Sequence, residues 1–263
     1  KMAKYKAIQN AERLAINPEL FKDTITLNVT LRPEESKKIS DMLIGVFFED
    51  INYGADGGLY AELVQNRDFE YSPNDIGREE NWTATNSWST GGEGLSFDID
   101  TVAPLHAHNP HYAVLDIKEK GHGLVNDGFD GIPVKAGEKY DFSVFARSTS
   151  NKRGRIIVRL FDEDGKVIGE ARTGKISKTW NKLTAVVKAT GSAVNGCMEV
   201  IPDMEGEVNL DMVSLFPQKT FKNRKNGMRA DLAQAIADIR PRFVRFPGGC
   251  VAHGNGLDNI YRW

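Results

Sequence analysis

The sequence predicts a mainly β protein, in which a jelly-roll β-sandwich is inserted into the first βα unit of an incomplete (β/α)8 barrel. Two observations lead to this prediction. From about Phe69 to Pro217, short β-rich runs alternate with turn signals, which is typical of an antiparallel sandwich or jelly roll. An apolar run lies on each side of this region: Met42–Phe48 before it and Phe243–Phe246 after it. Each run is followed at once by charged residues, Gly or Pro. Barrel strands present polar residues to a ligand-binding rim in this way.

The first part of the chain, residues 1–66, is predicted to hold a leader and two strands. Residues Lys1–Asn17 indicate a mixed helical or frayed leader, and Ile25–Leu31 alternates between apolar and polar residues like a half-buried strand. Met42–Phe48 is nearly continuous in apolar residues, as in a strand buried on both faces. Leu59–Gln65 is then expected to form a short helix, because its two leucines would share one face.

The middle part, residues 67–218, is predicted to be the sandwich. Tyr140–Ala146 and Arg155–Phe161 alternate with period two, and the second run leads into Asp162–Gly165, which has the composition of a hairpin turn. The pattern predicts three further strands: Leu183–Val187, Met198–Ile201 and Val208–Phe216.

The last part, residues 219–263, is predicted to contain a helix and a second barrel strand. Apolar residues from Met228 to Ile239 fall on one helical face, and Pro241 ends that helix before the strand that begins at Phe243. The order therefore indicates a βα unit interrupted by an inserted sandwich. Because two strands cannot close a barrel, their exposed apolar surface and unpaired edges predict disorder or self-association unless a further chain completes the fold.

Composition argues against charged partners. The chain has 34 basic and 36 acidic side chains, a formal net charge of −2, which gives no electrostatic case for nucleic acid or an anionic membrane. No apolar stretch reaches the roughly 20 residues of a membrane span, and the N-terminus lacks the apolar segment of a secretory signal. Two cysteines, Cys197 and Cys250, do not settle the compartment.

Two segments resemble a known family. Gly45–Arg67, followed by Phe69 and Glu70, closely resembles the start of the α-L-arabinofuranosidases of glycoside hydrolase family 51. Arg245–Gly249 resembles the second barrel strand of that family, and the inserted region resembles a carbohydrate-binding module of the family 4 and 9 type. The resemblance extends from about Ile39 to the C-terminus. It implies a secreted or periplasmic enzyme.

The resemblance also implies a retaining hydrolase that removes terminal arabinofuranosyl residues from arabinose-containing polysaccharides or oligosaccharides. Such chemistry needs two carboxyl groups about 5 Å apart, an acid/base and a nucleophile. The acid/base of the family lies in an Asn-Glu pair, whereas here an acid follows Asn only in Asn74-Asp75 and Asn126-Asp127, both inside the insert. We therefore expect the chain to lack both catalytic glutamates and to be inactive alone.

The family resemblance assigns a substrate-binding wall to four residues of this chain: Glu49, Arg245, Gly249 and Cys250. Glu49 would accept hydrogen bonds from furanose hydroxyls, or alternatively pair with a neighbouring Arg. Arg245 would brace a carboxylate such as Glu49, and the glycines permit a close backbone approach. Cys250 stands where many members carry a sugar-contacting Asn; its alternative role is simple packing.

Aromatic residues of the insert have two possible roles. They could stack on sugar rings or fill the sandwich core, and the candidates are Trp82, Trp88, Tyr112, Phe129 and Trp180. Trp180 directly precedes a predicted strand, which favours a structural role. Asp211, in the predicted last strand of the sandwich, is a candidate ligand for a structural calcium ion, and no other cofactor is expected.

Three functions therefore remain open at this point. The chain is the N-terminal part of an arabinofuranosidase, a non-catalytic carbohydrate-binding protein, or part of an endo-glucanase on the same scaffold. A homo-oligomer or a complementing C-terminal chain is a possible partner.

Overall fold

The computed structural model describes residues 27–50, 52–72 and 82–253, in two compact units that divide after Ser40. The predicted leader lies outside the described residues. In the first unit, residues 27–40 contain one 3-10 turn at Pro33–Glu35. The strand predicted over Ile25–Leu31 is wrong for its described part, since residues 27–31 form no strand and Leu31 is 84% exposed. Alternation produces a strand only where a neighbouring strand offers pairing and an apolar surface.

The described part of the second unit contains thirteen strands and two α-helices. The strands are β1 Val46–Phe47, β2 Trp88–Thr90, β3 Leu95–Asp100, β4 Tyr112–Ile117, β5 Leu124–Asn126, β6 Ile132–Val134, β7 Lys139–Arg147, β8 Arg155–Phe161, β9 Val167–Lys175, β10 Asn181–Lys188, β11 Ala193–Pro202, β12 Gly206–Pro217 and β13 Val244–Arg245. The helices are α1 Ala230–Ile239 and α2 Cys250–His253, and a 3-10 turn lies at Phe221–Asn223.

Two antiparallel sheets form the sandwich in the described residues. Sheet A has the strand order β10-β7-β12-β4-β3, and sheet B has the order β2-β5-β11-β8-β9, with β6 also paired to β11. Buried apolar side chains such as Leu115, Phe142, Val158 and Val200 fill the space between the sheets. The prediction of a mainly β chain with a β-sandwich is therefore confirmed.

Local sequence explains these strands well. Along β7, Tyr140, Phe142, Val144 and Ala146 are buried while the residues between them are more exposed, which is the period-two pattern of a strand with one face on the core. The predicted hairpin turn joins β8 to β9. There the Asp162 carboxylate accepts hydrogen bonds from two backbone N–H groups of the turn, which fixes its closure.

Strands β1 and β13 form a separate parallel pair, in which Val46 lies opposite Val244 and Phe47 opposite Arg245. We expected Met42–Phe48 to be a long strand buried on both faces. The strand is instead two residues long, and Phe47 is 54% and Val244 60% exposed. Parallel strands are buried only where other elements cover both faces, and this pair has no such cover among the described residues.

The segment between β1 and the sandwich, residues 55–72, is named the connector. A helix was predicted over Leu59–Gln65, and this prediction is wrong. The pairing of β4 with β12 ends at Leu210, and beyond it the edge of β12 bonds the connector. Leu63 N–H donates to the Leu215 carbonyl at 3.1 Å, and Val213 N–H donates to the Arg67 carbonyl at 2.8 Å. These bonds hold the connector extended because they use the groups that a helix would need.

A buried carboxylate fixes the connector in place. The Glu62 side chain is fully buried, and its Oε1 accepts hydrogen bonds from the N–H groups of Leu63, Val64 and Leu215 at 3.0, 3.1 and 2.8 Å. Ser214 Oγ donates to Oε2 at 2.6 Å. Burial raises the pKa of Glu62, and these hydrogen bonds oppose the rise. The Glu62 carboxylate therefore joins the connector to β12 by accepting hydrogen bonds from the backbone of both, in place of regular strand pairing.

We expect Glu62→Ala to lower the free energy of unfolding by about 3–5 kcal/mol, because it leaves the buried Val64 and Leu215 N–H groups and the Ser214 hydroxyl without this acceptor. Glu62→Gln should cost less, since its amide oxygen still accepts. Urea unfolding followed by circular dichroism measures the difference. The control is Glu205→Ala, which removes an exposed pair with Lys152 and should cost at most about 1 kcal/mol. Equal losses of unfolding free energy in Glu62→Ala and in the control would contradict the role of Glu62 in fixing the connector.

Candidate functional site

The ends of β1 and β13 bring together two segments that are far apart in the sequence. Glu49, just after β1, accepts a hydrogen bond at Oε1 from the backbone N–H of Gly249 at 2.9 Å. Gly248 has a φ of +146°, and a Cβ added there would lie 2.5 Å from Glu49 Cγ. Only glycine accepts both the backbone conformation and this close approach. Glu49, Gly248 and Gly249 together are named the rim.

The other two predicted substrate-binding residues lie beside the rim. Arg245 is exposed, and its guanidinium lies 4.6 Å from the centre of the Phe47 ring, a cation–π arrangement across the strand pair. Cys250 is exposed and begins helix α2, directly after Gly249. The structure thus brings Glu49 and Gly249 into contact and gives Arg245 an aromatic partner. That Arg245 braces a carboxylate stays a prediction.

Three of the five aromatic candidates, Trp82, Trp88 and Tyr112, have different surroundings. Trp88 is 7% exposed, packs against Phe69 and donates from Nε1 to the Asn66 carbonyl at 2.8 Å, so it occupies the core. Trp82 is half-buried, and its ring stacks on Tyr71 with centroids 4.4 Å apart. Tyr112 is buried too, but on the outer face of sheet A. Ring faces that already pack on protein offer little area to a sugar.

Tyr112 belongs to a polar and aromatic group on the outer face of sheet A, named the Trp180 cluster: Asp100, Tyr112, Arg147 and Trp180. The Arg147 guanidinium lies 5.2 Å from the centroid of Tyr112 and 4.7 Å from that of Trp180. The Tyr112 hydroxyl donates to Asp100 Oδ2 at 2.7 Å. Trp180 donates from Nε1 to the Ala103 carbonyl at 3.0 Å. Aromatic rings and hydrogen-bonding groups therefore meet on the outer face of sheet A, where Trp180 is half-buried and Tyr112 is buried.

Electrostatics within the Trp180 cluster follow from these contacts. The Tyr112 hydroxyl, together with the Val102 N–H, holds the pKa of Asp100 below its usual range. Burial raises the pKa of Tyr112, and its bond to Asp100 adds to the rise. Sequence reasoning missed Asp100 and Arg147. The sequence did carry a signal for Arg147: it lies at the end of β7, on the face that the alternating pattern predicts to point away from the core.

Asp211, the calcium candidate, is fully buried in β12. Its carboxylate accepts hydrogen bonds from the Met212 N–H at 2.6 Å and from Asn109 Nδ2 at 3.1 Å. Calcium requires six to eight oxygen ligands, and these N–H donors point at the oxygens where a cation would lie. Within the described ranges, no group of three or more His, Cys, Asp or Glu side chains is placed to hold a metal ion. The contacts of Asp211 therefore do not fit a calcium ion.

The sandwich matches a known family. Residues 61–203 match the model of a carbohydrate binding domain, which is more than half of the chain. The chain therefore belongs to this family of carbohydrate-binding domains. In the part of the chain that is described, no helix has the length and apolarity that crossing a membrane requires.

The chain as a whole is similar to the N-terminal part of family 51 α-L-arabinofuranosidases, as predicted. It is 40% identical over 239 residues to an extracellular exo-α-L-arabinofuranosidase of Streptomyces chartreusis, a match that covers 90% of this chain and 27% of that protein. Identity to α-L-arabinofuranosidase 1 of Arabidopsis thaliana is 32%, covering 92% of this chain and 36% of that one. A solved family 51 α-L-arabinofuranosidase with bound arabinose is 32% identical, with a TM-score of 0.74 over 84% of this chain and 36% of that one. The chain thus spans about a third of the relatives that it matches.

We expect Asp211→Asn to flatten the pH dependence of stability. Burial, with the nearby Asp68 and Glu70 carboxylates, raises the pKa of Asp211 to about 8 from 3.8. The folded protein therefore holds a proton that the unfolded chain has lost, so stability falls as pH rises between these two values, by up to about 1.4 kcal/mol per pH unit.

Urea unfolding at several pH values between about 5 and about 8 measures this slope. Asp98→Asn, which changes an exposed carboxylate on β3, is the matched control and should keep the slope of the unmodified chain. An Asp211→Asn variant with an unchanged slope would show that Asp211 is ionised throughout this range.

Proposed function

We propose that this chain forms the non-catalytic part of a retaining α-L-arabinofuranosidase and contributes one wall of the arabinofuranosyl pocket. The observation that carries the proposal is the 2.9 Å hydrogen bond between Gly249 N–H and Glu49 Oε1. It joins the two segments that resemble family 51, 200 residues apart, at the ends of adjacent parallel strands. The ends of parallel strands are where enzymes of this architecture bind their ligands.

The chemistry of the rim suits a furanose. A carboxylate held by a backbone N–H keeps a fixed direction and can accept hydrogen bonds from neighbouring sugar hydroxyls. Glu49 would do so, with Gly248 and Gly249 allowing the sugar to approach the backbone closely. Cys250 would offer only a weak thiol donor beside it. This wall orients the sugar and does not break its glycosidic bond.

Hydrolysis itself needs two further carboxyl groups on either side of the anomeric carbon. The chain contains no Asn-Glu pair of the kind that carries the acid/base in this family. We propose that both catalytic glutamates lie on later strands, outside these 263 residues. Those strands would also cover the exposed sides of β1 and β13, so that the sandwich, residues 67–218, is an insertion in the first βα unit of a complete barrel.

Secretion belongs to the same proposal. The relative from Streptomyces chartreusis carries the word extracellular in its name. A plant polysaccharide is too large to enter a cell, so an enzyme that trims it acts outside.

A second candidate function, carbohydrate binding by the sandwich, is favoured by the Trp180 cluster. Its rings lie on the outer face of sheet A, beside Phe145, whose ring faces Lys182 at 5.8 Å. Aromatic surface next to Arg and Asp groups suits a polyhydroxylated ligand, which needs apolar contact together with both donors and acceptors. The two functions are compatible because they use different residues.

The first prediction of the proposal concerns activity. The 263-residue chain alone should release no arabinose from an aryl α-L-arabinofuranoside, measured beside the Streptomyces chartreusis relative. Turnover by the chain at a rate comparable with that relative would contradict the absence of the catalytic pair.

In an active polypeptide that contains this chain, Glu49→Ala should lower kcat/KM by about 100-fold, as expected for loss of charge-assisted hydrogen bonds to substrate hydroxyls. Glu34→Ala, at an exposed carboxylate in the first unit, is the control and should leave kcat/KM unchanged.

The second prediction concerns binding at sheet A. Titration with soluble arabinoxylan should change the tryptophan fluorescence of the chain, and Trp180→Ala should weaken the affinity roughly tenfold because a stacking surface is lost. Lys188→Ala, at an exposed residue at the end of β10, is the control. Unaltered affinity in Trp180→Ala would remove sheet A from the binding function.

A further inference from the structure

A cleft of about 530 Å³ lies away from both the rim and the Trp180 cluster. The connector forms one wall, through Gly57–Leu63. The region from Phe129 through β6 to the start of β7 forms a second wall, and the end of β12 with the start of α1 forms the third. Its volume falls within the range of about 300–1,000 Å³ that is usual for small-molecule sites.

Three aromatic residues line this cleft, Tyr60, Phe129 and Tyr140, and packing holds the rings of the first two in position. The Phe129 ring packs directly over Gly57, which has a φ of +76°, so a Cβ at Gly57 would overlap the ring. Tyr53 meets the same ring edge-on at 5.2 Å. Tyr60 packs edge-on against the buried Phe216 at 5.0 Å. Rings that are held in advance lose little entropy when a ligand stacks on them.

Charged groups of both signs line the cleft: three cations, Lys135, Lys219 and Arg229, and four acids, Glu62, Asp130, Glu138 and Asp231. The Glu138 carboxylate lies between Lys135 and Lys219, at 3.8 and 3.9 Å. Arg229 pairs with Asp231 at 2.7 Å. Because each cation faces an acid, the cleft offers donors and acceptors side by side without a strong field of either sign. This selects against an anionic or cationic ligand and favours a neutral one rich in hydroxyls.

We propose that this cleft is a second carbohydrate-binding site, which takes a short neutral oligosaccharide. The sugar face stacks on Phe129, and its hydroxyls bond Glu138 and Lys219. The choice of sugar as the ligand class rests on the proposed function. The location of the site rests on the geometry of the cleft.

Calorimetric titration of the 263-residue chain with arabinotriose tests the site, and tryptophan fluorescence of the same samples separates it from sheet A. None of the described residues that line the cleft is a tryptophan. We therefore expect binding heat without a change in fluorescence, whereas occupation of the Trp180 cluster would change it. Trigalacturonate, an anionic comparator, should bind at least several-fold more weakly.

Two variants test whether the binding heat comes from the cleft. Phe129→Ala should weaken arabinotriose roughly tenfold through loss of stacking, and Lys219→Ala should weaken it about threefold while removing only an exposed side chain. Lys225→Ala, an exposed lysine that does not line the cleft, should match the unmodified chain. Circular dichroism of each variant verifies the fold.

Three outcomes would overturn the proposal: no binding heat at millimolar arabinotriose, unchanged affinity in both variants, or a loss confined to Trp180→Ala. The last result would leave carbohydrate binding by the sandwich in place and assign it to sheet A alone. Arabinofuranoside hydrolysis is measured separately, so the result of that assay does not decide this one.

Discussion

The carboxylate of Glu62 holds the connector against β12, and the connector in this position forms one wall of the cleft. Burial of an acid costs several kcal/mol unless its oxygens are fully bonded, and here three N–H groups and one hydroxyl converge on them. The connector can therefore adopt one position at low cost, because any displacement leaves this acid and its donors unpaired at once.

Asn126 extends this interaction to sheet B. Its side chain accepts hydrogen bonds from the N–H groups of Gln65 and Gly128, and donates to the carbonyls of Gln65 and Ser87. All four hydrogen-bonding positions of one carboxamide are thus used inside the protein. Glu62 joins the connector to sheet A and Asn126 joins it to sheet B, so two polar side chains attach the connector to both sheets.

The sequence predicts the sandwich strands well because each carries its own alternation, and β7, β8 and β12 are found where the pattern indicates them. The connector was mispredicted because the spacing of Leu59 and Leu63 suits a helix, while the edge of β12, some 150 residues later, offers better bonding. Glu49 and Gly249 could be predicted to meet because each follows an apolar strand. Arg147 and Asp100 could not, since their proximity depends on the order of strands in sheet A, which local patterns do not encode.

The connector also links the rim to the cleft. The Asp50 carboxylate accepts a hydrogen bond from the Ala55 N–H at 2.8 Å, and the Tyr60 N–H donates to the Ala55 carbonyl at 2.9 Å. Hydrogen bonds at Ala55 therefore connect Asp50, the residue after Glu49, with Tyr60 in the cleft. Because Glu62 already holds the connector in one position, its cleft wall loses little conformational entropy when a ligand binds there.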